Sequence, residues 1–329
     1  SFAALQRALA EAGRATEERR RQREHDGGDP VILAVANRLF GQRSYAFRPE
    51  FLSLVADTYG APLRQVDFAD DAPRATRLIN AWVKEQTRDR IQQLLPDDAL
   101  NALTRLVLVN AVYLKIPWDV AFPKQLTKPA PFRLGSGESV DVPTLNRTGF
   151  MGYQKGAGYT AVKLPYMGAY LHFLVIVPDD PAGLAAVEKQ VTPALLAELA
   201  GIPMREVNLY VPKFRMEPPL MQLGSTLHEL GMRLAFDDPP GSADFDRMAP
   251  RRAGDHLFIS GVFHKAFLEV DEKGTEAAAA TAVVMMTPTA VLVERPDPVV
   301  VRVDRPCLLA VQHRASGACL FLGRLADPR

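Results

Sequence analysis

The order in which two hydrophobic periodicities appear along the chain most constrains its fold. Apolar residues recur at helical spacing through much of the first third of the 329 residues, whereas apolar runs of strand length fill the last third. Turn residues separate these runs, and no regular strand–helix–strand alternation is present. This order predicts an α+β fold with large, mostly antiparallel sheets and surrounding helices, rather than a parallel α/β sheet.

The periodic segments can be located along the chain. Helices are predicted over 1–23, 49–59, 72–95, 184–200 and 219–231. Strands are predicted over 31–40, 103–114, 159–165, 170–178, 207–214, 257–270, 299–303 and a terminal hairpin of 307–314 and 318–324. No repeat, low-complexity tract or long linker interrupts them, so we expect a single domain over 1–329.

Composition excludes some classes of partner. The chain is 47% hydrophobic and 23% charged with a formal net charge of +1, which argues against nucleic acid or an anionic membrane as the main partner. No apolar run approaches the roughly 18 residues that a membrane span requires. We expect a monomer with no cofactor. An extracellular location is slightly favoured over a cytoplasmic one.

The two cysteines lie on opposite sides of the terminal hairpin. A turn centred near Ser316 would pair Cys319 with His313 and leave Cys307 about six residues away, or roughly 20 Å along the ladder. A disulfide needs Cα atoms about 4.4–6.8 Å apart. We therefore expect two free, buried thiols.

The run 271–282, which reads DEKGTEAAAATA, is the most informative local feature. Half of its twelve residues have side chains no larger than a methyl group, so its backbone can change conformation at little cost. One interpretation is a helix start, with Thr275 as the N-cap and the alanines as the first turns. The other is a segment that moves between loop and strand.

Several segments, in this order and spacing, resemble one known family. They are 106–115 with Trp118 and Phe122, 207–214, 223–236, 301–306 and 321–328. Together with the run 271–282, they resemble the serpins, protease inhibitors that trap their target by inserting a reactive-centre loop into a β-sheet. The resemblance implies the serpin fold and an exposed reactive-centre loop at about 272–298. It implies an inhibitor of serine proteases rather than an enzyme.

The resemblance also assigns roles to particular residues. The hinge that must enter the sheet is Glu272, Gly274, Thr275, Glu276, Ala277, Ala278, Ala279 and Ala280. The residues around which the sheet opens are Asn110, Trp118, Lys213 and His264. Glu272 and Lys213 are expected to form an ion pair near Trp118. His264, alone in a mid-strand apolar setting, would otherwise be read as a core histidine.

Spacing from the hinge in the family pattern places the reactive bond near Pro288, Thr289 and Ala290, within the range 286–295. Thr289-Ala290 would suit elastase-like or subtilisin-like enzymes, which accept small residues. Arg295 would suit a trypsin-like enzyme, but Pro296 follows it and hinders cleavage. A serine protease, elastase-like or subtilisin-like by preference, is therefore the expected partner.

The chain also departs from the family pattern. Cys307 stands where the family has Phe, and the sequence starts where the fourth serpin helix would lie, so the first three helices have no counterpart. A bacterial, inhibitory member without these helices is expected. A non-inhibitory chaperone or carrier, an inert truncated serpin and an unrelated hydrolase remain alternatives.

Other motifs do not support a competing function. The arginines of 14–25 could form a polyanion site, but interleaved glutamates favour a solvated helix face. His228-Glu229 lacks the second histidine of a zinc-protease helix. The glycines of 156–161 lead into a strand, which offers no helix terminus to a dinucleotide. No hydrolase elbow, phosphate loop or metal-ligand spacing occurs.

Overall fold

The computed structural model describes residues 2–23, 31–59, 62–252, 255–275 and 296–329. Within these ranges the helices are α1 (Phe2–Arg23), α2 (Pro49–Tyr59), α3 (Phe68–Gln86), α4 (Leu184–Glu188), α5 (Pro193–Ala200) and α6 (Gly224–Glu229). The strands are β1 (Ile32–Gln42), β2 (Arg64–Val66), β3 (Leu106–Pro117), β4 (Lys128–Arg133), β5 (Ser139–Lys155), β6 (Tyr159–Pro165), β7 (Leu171–Pro178), β8 (Met204–Pro212), β9 (Phe214–Met216), β10 (Met221–Gln222), β11 (Phe263–Val270), β12 (Gly274–Thr275), β13 (Val299–Arg302), β14 (Cys307–His313) and β15 (Cys319–Leu325).

The chain folds into two compact units. The first contains Ser1–Arg7, Ala34–Leu114 and Glu217–Phe267, and the second contains Ala8–Leu33, Lys115–Met216 and Leu268–Arg329. Most of β3 and β11 belongs to the first unit, and their carboxyl ends belong to the second. No helix within the described ranges is long and apolar enough to cross a bilayer.

The first unit is built on a mixed sheet with the order β10-β11-β3-β1-β2. β3 and β11 are parallel neighbours, joined over Val109–Tyr113 and Phe263–Phe267. β1 and β2 are also parallel, whereas β10 is antiparallel to β11. The described pairs of the two sheets are mostly antiparallel, as predicted, and β3–β11 and β1–β2 are parallel exceptions in this sheet.

A side-chain hydrogen bond sets where helix α3 begins. Asp67 is the N-cap and accepts the N–H of Asp70 at 3.2 Å. The predicted helix 72–95 is wrong at its carboxyl end, because α3 stops at Gln86. Beyond it, Leu94 and Leu95 are buried in a non-helical segment whose N–H groups donate to Asn80 Oδ1. Their apolar pattern continued the helical period without a helix.

The second unit contains a larger sheet with the order β13-β8-β5-β6-β7-β14-β15, and β4 pairs with β5 at its side. All these pairs are antiparallel except β13 with β8. Every residue of β7 is buried, as expected for a central strand. Leu196 and Leu199 of α5 pack with β7 and β14 residues in one apolar cluster.

The sequence did not predict β4 or β5. β4 reads KPAPFR, and prolines argue against a strand because they lack the N–H that a ladder needs. Pro129 and Pro131 are two residues apart, so both turn the nitrogen that lacks a hydrogen toward the same edge. β4 can therefore pair with β5 on its other edge, which is how an edge strand tolerates proline.

Two predicted helices are shorter than expected. The segment 184–200 forms α4 and α5, because Thr192 caps a new helix and accepts the N–H of Leu195 at 3.1 Å, with Pro193 in the first turn. The segment 219–231 contains β10 and the six-residue α6. Local apolar periodicity cannot detect such interruptions.

The terminal hairpin separates the cysteines as predicted, but only one thiol is buried. Cys319 pairs with Gln312 beyond a register shift, and Cys307 pairs with Leu325. Both thiols are free, and burial raises the pKa of Cys307. Cys319 is exposed, which corrects the prediction, since it lies near the turn and not in the strand centre.

Candidate functional site

An aromatic cluster in the second unit surrounds Trp118, just beyond β3. Trp118 is 3% exposed and stacks on Tyr166 with ring centroids 4.8 Å apart and planes 6° apart. Phe173 and Phe122 contact it edge-on, at 5.6 and 6.2 Å. Such a buried indole provides a rigid support for backbone that binds to it.

The start of the predicted loop is held against this cluster by its backbone. Three consecutive carbonyl oxygens accept hydrogen bonds here. Asp271 O accepts Trp118 Nε1–H at 3.0 Å, Glu272 O accepts Phe122 N–H at 2.6 Å and Lys273 O accepts Trp118 N–H at 2.8 Å. We call Trp118, Phe122, Thr127, Lys213 and residues 271–275 the hinge clamp.

Glu272 provides the charged contact of the hinge clamp. Lys213 Nζ lies 3.0 Å from its Oε2, and the Thr127 hydroxyl donates to its Oε1 at 3.1 Å. Burial alone would raise the pKa of this carboxyl group, but hydrogen bonds from its own N–H, Lys213 and Thr127 outweigh burial and lower the pKa below its ordinary value. The ion pair expected from the sequence is therefore present.

Asp271 shapes the turn that precedes β12. Its Oδ1 accepts the N–H groups of Lys273 at 2.8 Å and Gly274 at 3.1 Å. Burial raises the pKa of Asp271, although these two hydrogen bonds oppose the increase. Adjacent carboxyl groups thus have pKa values shifted in opposite directions, because Glu272 has a cation beside it and Asp271 relies on backbone donors.

Gly274 is required by a close approach between two strands. β12 is antiparallel to the end of β3, with Gly274 opposite Pro117 and Thr275 opposite Ile116. A Cβ at 274 would collide with the backbone oxygen of Ile116 and lie 2.6 Å from the Cα of Pro117. Only glycine lets the chain turn onto β3 at this point.

The first unit contains the other predicted pair. Asn110 on β3 and His264 on β11 are direct neighbours in the parallel ladder, and His264 Nδ1 lies 3.1 Å from Asn110 Oδ1. His264 is half-buried, and burial lowers its pKa. The neutral ring is therefore favoured, and the contact is a hydrogen bond between uncharged groups.

The comparison with protein families identifies the chain. The model for "Serpin (serine protease inhibitor)" matches residues 6–328. The chain belongs to the serpin family.

Curated relatives and solved structures agree with this assignment. The serpin is 40% identical over 310 residues to the leukocyte elastase inhibitor of Sus scrofa, covering 92% of this chain and 79% of the relative. It is 37% identical over 314 residues to that of Homo sapiens, with the same coverage.

The structure resembles native protease nexin-1 with heparin at a TM-score of 0.79 and 30% identity, covering 97% of this chain and 81% of the other. It resembles uncleaved ovalbumin at a TM-score of 0.78 and 28% identity, covering 93% and 80%. The predicted α+β serpin fold is confirmed.

The family also gives the activity. This serpin is a serine protease inhibitor and not an enzyme. These relatives are mammalian, so they do not support the predicted bacterial source. No group of three or more His, Cys, Asp or Glu side chains that could hold a metal lies among the described residues.

The structure brings part of the predicted site together. Trp118, Lys213, Glu272 and Gly274 meet in the hinge clamp, while Asn110 and His264 meet in the first unit. The backbone of Thr275 is described and pairs with β3. Two groups lie outside the described residues: the hinge residues Glu276, Ala277, Ala278, Ala279 and Ala280, and the reactive-bond residues Pro288, Thr289 and Ala290.

Sequence reasoning missed three residues of this region. Asp271 could have been found, because Asp followed three residues later by Gly is a common turn pattern. Thr127 carries no local signal for its bond to Glu272. Arg147 is 7% exposed with its guanidinium 5.3 Å from the centre of the Phe122 ring, and burial lowers its pKa to about 10. Nothing in the local sequence predicts that an arginine is buried there.

Proposed function

We propose that this serpin traps an elastase-like serine protease by inserting residues 275–286 between β3 and β11 after cleavage near Thr289-Ala290. We also propose that residues 1–329 act as a single domain and a monomer, with the reactive-centre loop at about 272–298. A location outside the cell stays a prediction from the sequence.

The pairing of β3 carries this proposal. β3 and β11 are parallel neighbours over Val109–Tyr113 and Phe263–Phe267, yet β12 already runs antiparallel to the end of β3. A strand that continued from β12 along β3 would run antiparallel to both. Insertion would therefore replace one parallel ladder by two antiparallel ladders, which are slightly more stable per residue.

Continued along β3, the register of β12 would set the partners of each inserted residue. If Thr275 stays opposite Ile116, Ala277 comes opposite Leu114 and Ala278 comes opposite Tyr113. The side chains of Leu114 and Tyr113, on opposite faces of β3, are both 1% exposed. A strand entering here must have small side chains on both faces, and the four alanines 277–280 meet that requirement.

The same register accounts for the polar residues of the hinge. Glu276 would come opposite the half-buried Lys115, an opposite-charge pair of the kind that stabilises antiparallel strands. Thr281 would come opposite Asn110, where its hydroxyl group can replace the hydrogen bond that Asn110 shares with His264. Insertion requires that this bond break.

The chemical step is acyl transfer to the protease. The serine oxygen of the protease attacks the carbonyl carbon of the reactive bond, and the amine of the next residue leaves with a proton. The loop is then an ester of the protease. Twelve inserted residues span roughly 40 Å, so insertion would carry the tethered protease away from the carboxyl side of the loop and distort it before water cleaves the ester.

Two observations favour an elastase-like target over a trypsin-like one. The curated relatives in Sus scrofa and Homo sapiens are leukocyte elastase inhibitors. The residues around the proposed bond are small, and Pro296 disfavours cleavage after Arg295. A subtilisin-like enzyme shares this preference and is the second choice of target.

Incubation with an active elastase tests the proposal. We expect a complex that survives denaturation and boiling, and mass spectrometry should place the new amino terminus between 287 and 292. Elastase whose active-site serine is replaced by alanine should give no such complex. Cleavage of the loop without a complex would instead show substrate or carrier behaviour and would refute the inhibitory mechanism.

A further inference from the structure

A polar cavity of about 280 Å³ opens in the second unit beside β13, the strand that follows the predicted loop. Side chains from three separated parts of the chain line it. The polar ones are Tyr153, Lys155, Thr160, Asp179, Arg302 and Arg305. None of them belongs to the hinge clamp or to the proposed reactive bond.

Arg302 is held in place without an ionic partner. Its guanidinium lies 4.0 Å from the centre of the Tyr210 ring, directly across the β13–β8 ladder. Among the described residues, no carboxylate forms an ion pair with it. Stacking on an aromatic ring fixes the guanidinium plane and leaves its N–H groups available at the edge, the geometry that binds two oxygens of an anion.

Two further cations are fixed at the cavity. Arg305 Nε binds Asp304 Oδ1 and its Nη1 binds the backbone oxygen of Asp179, both at 2.7 Å. Lys155 Nζ lies 3.2 Å from Asp179 Oδ1, to which the Thr160 hydroxyl also donates at 3.3 Å. The three cationic side chains outnumber these two carboxylates, so the cavity is positive in a chain of net charge +1.

A second arginine extends this positive region. Arg205 lies with its guanidinium 5.7 Å from the centre of the Tyr153 ring, and Tyr153 lines the cavity. Arg205 and Arg302 are exposed and lie on neighbouring strands, β8 and β13. Arg302, with Lys155 and Arg305 at the cavity, offers the paired donors that suit a doubly charged oxyanion, and Arg205 adds positive charge nearby without lining the cavity.

We propose that this cavity binds a phosphate or sulfate group, with Arg302 donating to two of its oxygens and Lys155 and Arg305 completing the contact. The volume is several times that of one ion, so the group could be carried by a larger molecule such as a sulfated sugar. This site is separate from the proposed inhibitory mechanism and stands or falls independently of it.

Binding measurements on the full chain test this proposal. Inorganic phosphate and a sulfated polysaccharide are titrated separately by calorimetry at low salt, and the polysaccharide titration is repeated with added phosphate. We expect saturable binding and competition between the two. Arg302→Ala should weaken binding at least about tenfold, because it removes a charge-assisted bidentate contact. The affinity of Arg302→Lys should fall between those of the parent and Arg302→Ala, since lysine keeps the charge and loses the paired donors.

Arg324→Ala is the matched control. Arg324 is an exposed arginine of the same unit, and it pairs with Glu188 away from the cavity. Arg324→Ala removes the same charge as Arg302→Ala and should leave the affinity for both ligands within about twofold of the parent, since surface charge alone acts weakly at distance.

The outcomes separate the two sources of the ligand. Tighter polysaccharide binding with a steep salt dependence supports the site and identifies a polymer as its ligand. If phosphate binds as tightly per site as the polysaccharide, the result supports the site and identifies a small ion as its ligand. Three results would overturn the proposal. Arg302→Ala and Arg324→Ala could lose binding equally, Arg302→Ala could bind as the parent does, or binding could fail to saturate, which would indicate an adventitious ion only.

Discussion

The hinge clamp and the Asn110–His264 pair hold β3 in different ways. In the clamp, Trp118 and Phe122 bind three consecutive carbonyl groups, and Lys213 pairs with a buried carboxylate. At Asn110, the side-chain contact with His264 is one hydrogen bond between uncharged groups. This difference agrees with the proposal that the start of the loop is a pivot and that the sheet opens at Asn110.

Changing the first inserted side chain should have the largest effect. Position 275 is opposite Ile116 in the ladder, Ile116 is 2% exposed, and in the proposed inserted strand β11 would cover position 275 from the other side, so Thr275→Arg would then bury an unpaired charge. A cost of about 3 kcal/mol on insertion slows that step more than about 100-fold. We expect normal cleavage by elastase but little covalent complex, measured by the stoichiometry of inhibition.

Glu276→Arg is the matched control for this prediction. In the proposed inserted strand, it would place the same side chain on the other face, opposite the half-buried Lys115. It should retain most of the inhibition, because a partly exposed like-charge pair costs little. Equal trapping by both variants would mean that face alternation does not govern the loop.

Reversing the charge of the clamp should have the next largest effect. Glu272→Lys replaces the ion pair with Lys213 by two like charges and removes the acceptor of Thr127. We expect loop–sheet polymers to form faster on mild heating, as measured by native gel electrophoresis. The double variant Glu272→Lys/Lys213→Glu restores opposite charges and should recover most of the monomer. An unchanged monomer yield in the single variant would show that the ion pair does not hold the pivot.

Acid should weaken the closure at Asn110 through His264. The pKa of His264 is lowered by burial, so folding favours the neutral ring. Stability should be fully present above the ordinary pKa of about 6.5 and should be lost as pH falls toward the lowered value, by less than about 1.4 kcal/mol per pH unit. His264→Gln has no such titration. Thermal unfolding of both proteins between pH 7.5 and 5 should show a smaller decrease for the variant, and equal decreases would exclude this role.

Removing the charge of Asp271 should have the smallest effect. Its raised pKa means that the ionised group is disfavoured in the fold, and the stability of the protonated form is lost as pH rises through that pKa. Asp271→Asn keeps the oxygen that accepts from Lys273 and Gly274 and removes the charge. We expect the unfolding temperature at pH 7 to rise by about 1–2 °C. Asp271→Ala, which removes the acceptor, should lower it.

The sequence predicted the ion pair of the hinge clamp better than the backbone contacts around it. Glu272 and Lys213 were expected to pair because they match family positions, and the distance between them confirms the contact. The carbonyl contacts of Trp118 could not be predicted, because they depend on the path of the backbone around the indole. The four alanines 277–280 suggested a conformational change, but only the register of β12 on β3 shows which neighbours would demand small side chains.

The fold was predictable where periodicity and pairing coincide. The β7 run is apolar except for His172 and was placed within one residue of its observed start. β4 was missed because its prolines argue against a strand, and the sequence does not show that they face the edge of β4 that is not paired with β5. The end of α3 was misplaced because Leu94 and Leu95 are buried in a non-helical segment, where their N–H groups donate to Asn80 Oδ1.

The central claim is that the cleaved loop becomes a strand between β3 and β11. The most direct measurement compares thermal unfolding of the uncleaved chain with that of the chain cleaved at 289–290. About ten or more new ladder hydrogen bonds at about 1 kcal/mol each should raise the unfolding temperature by at least about 10 °C. Amide exchange in 109–113 and 263–267 should slow at the same time. An unfolding temperature that stays the same or falls after cleavage would contradict the account.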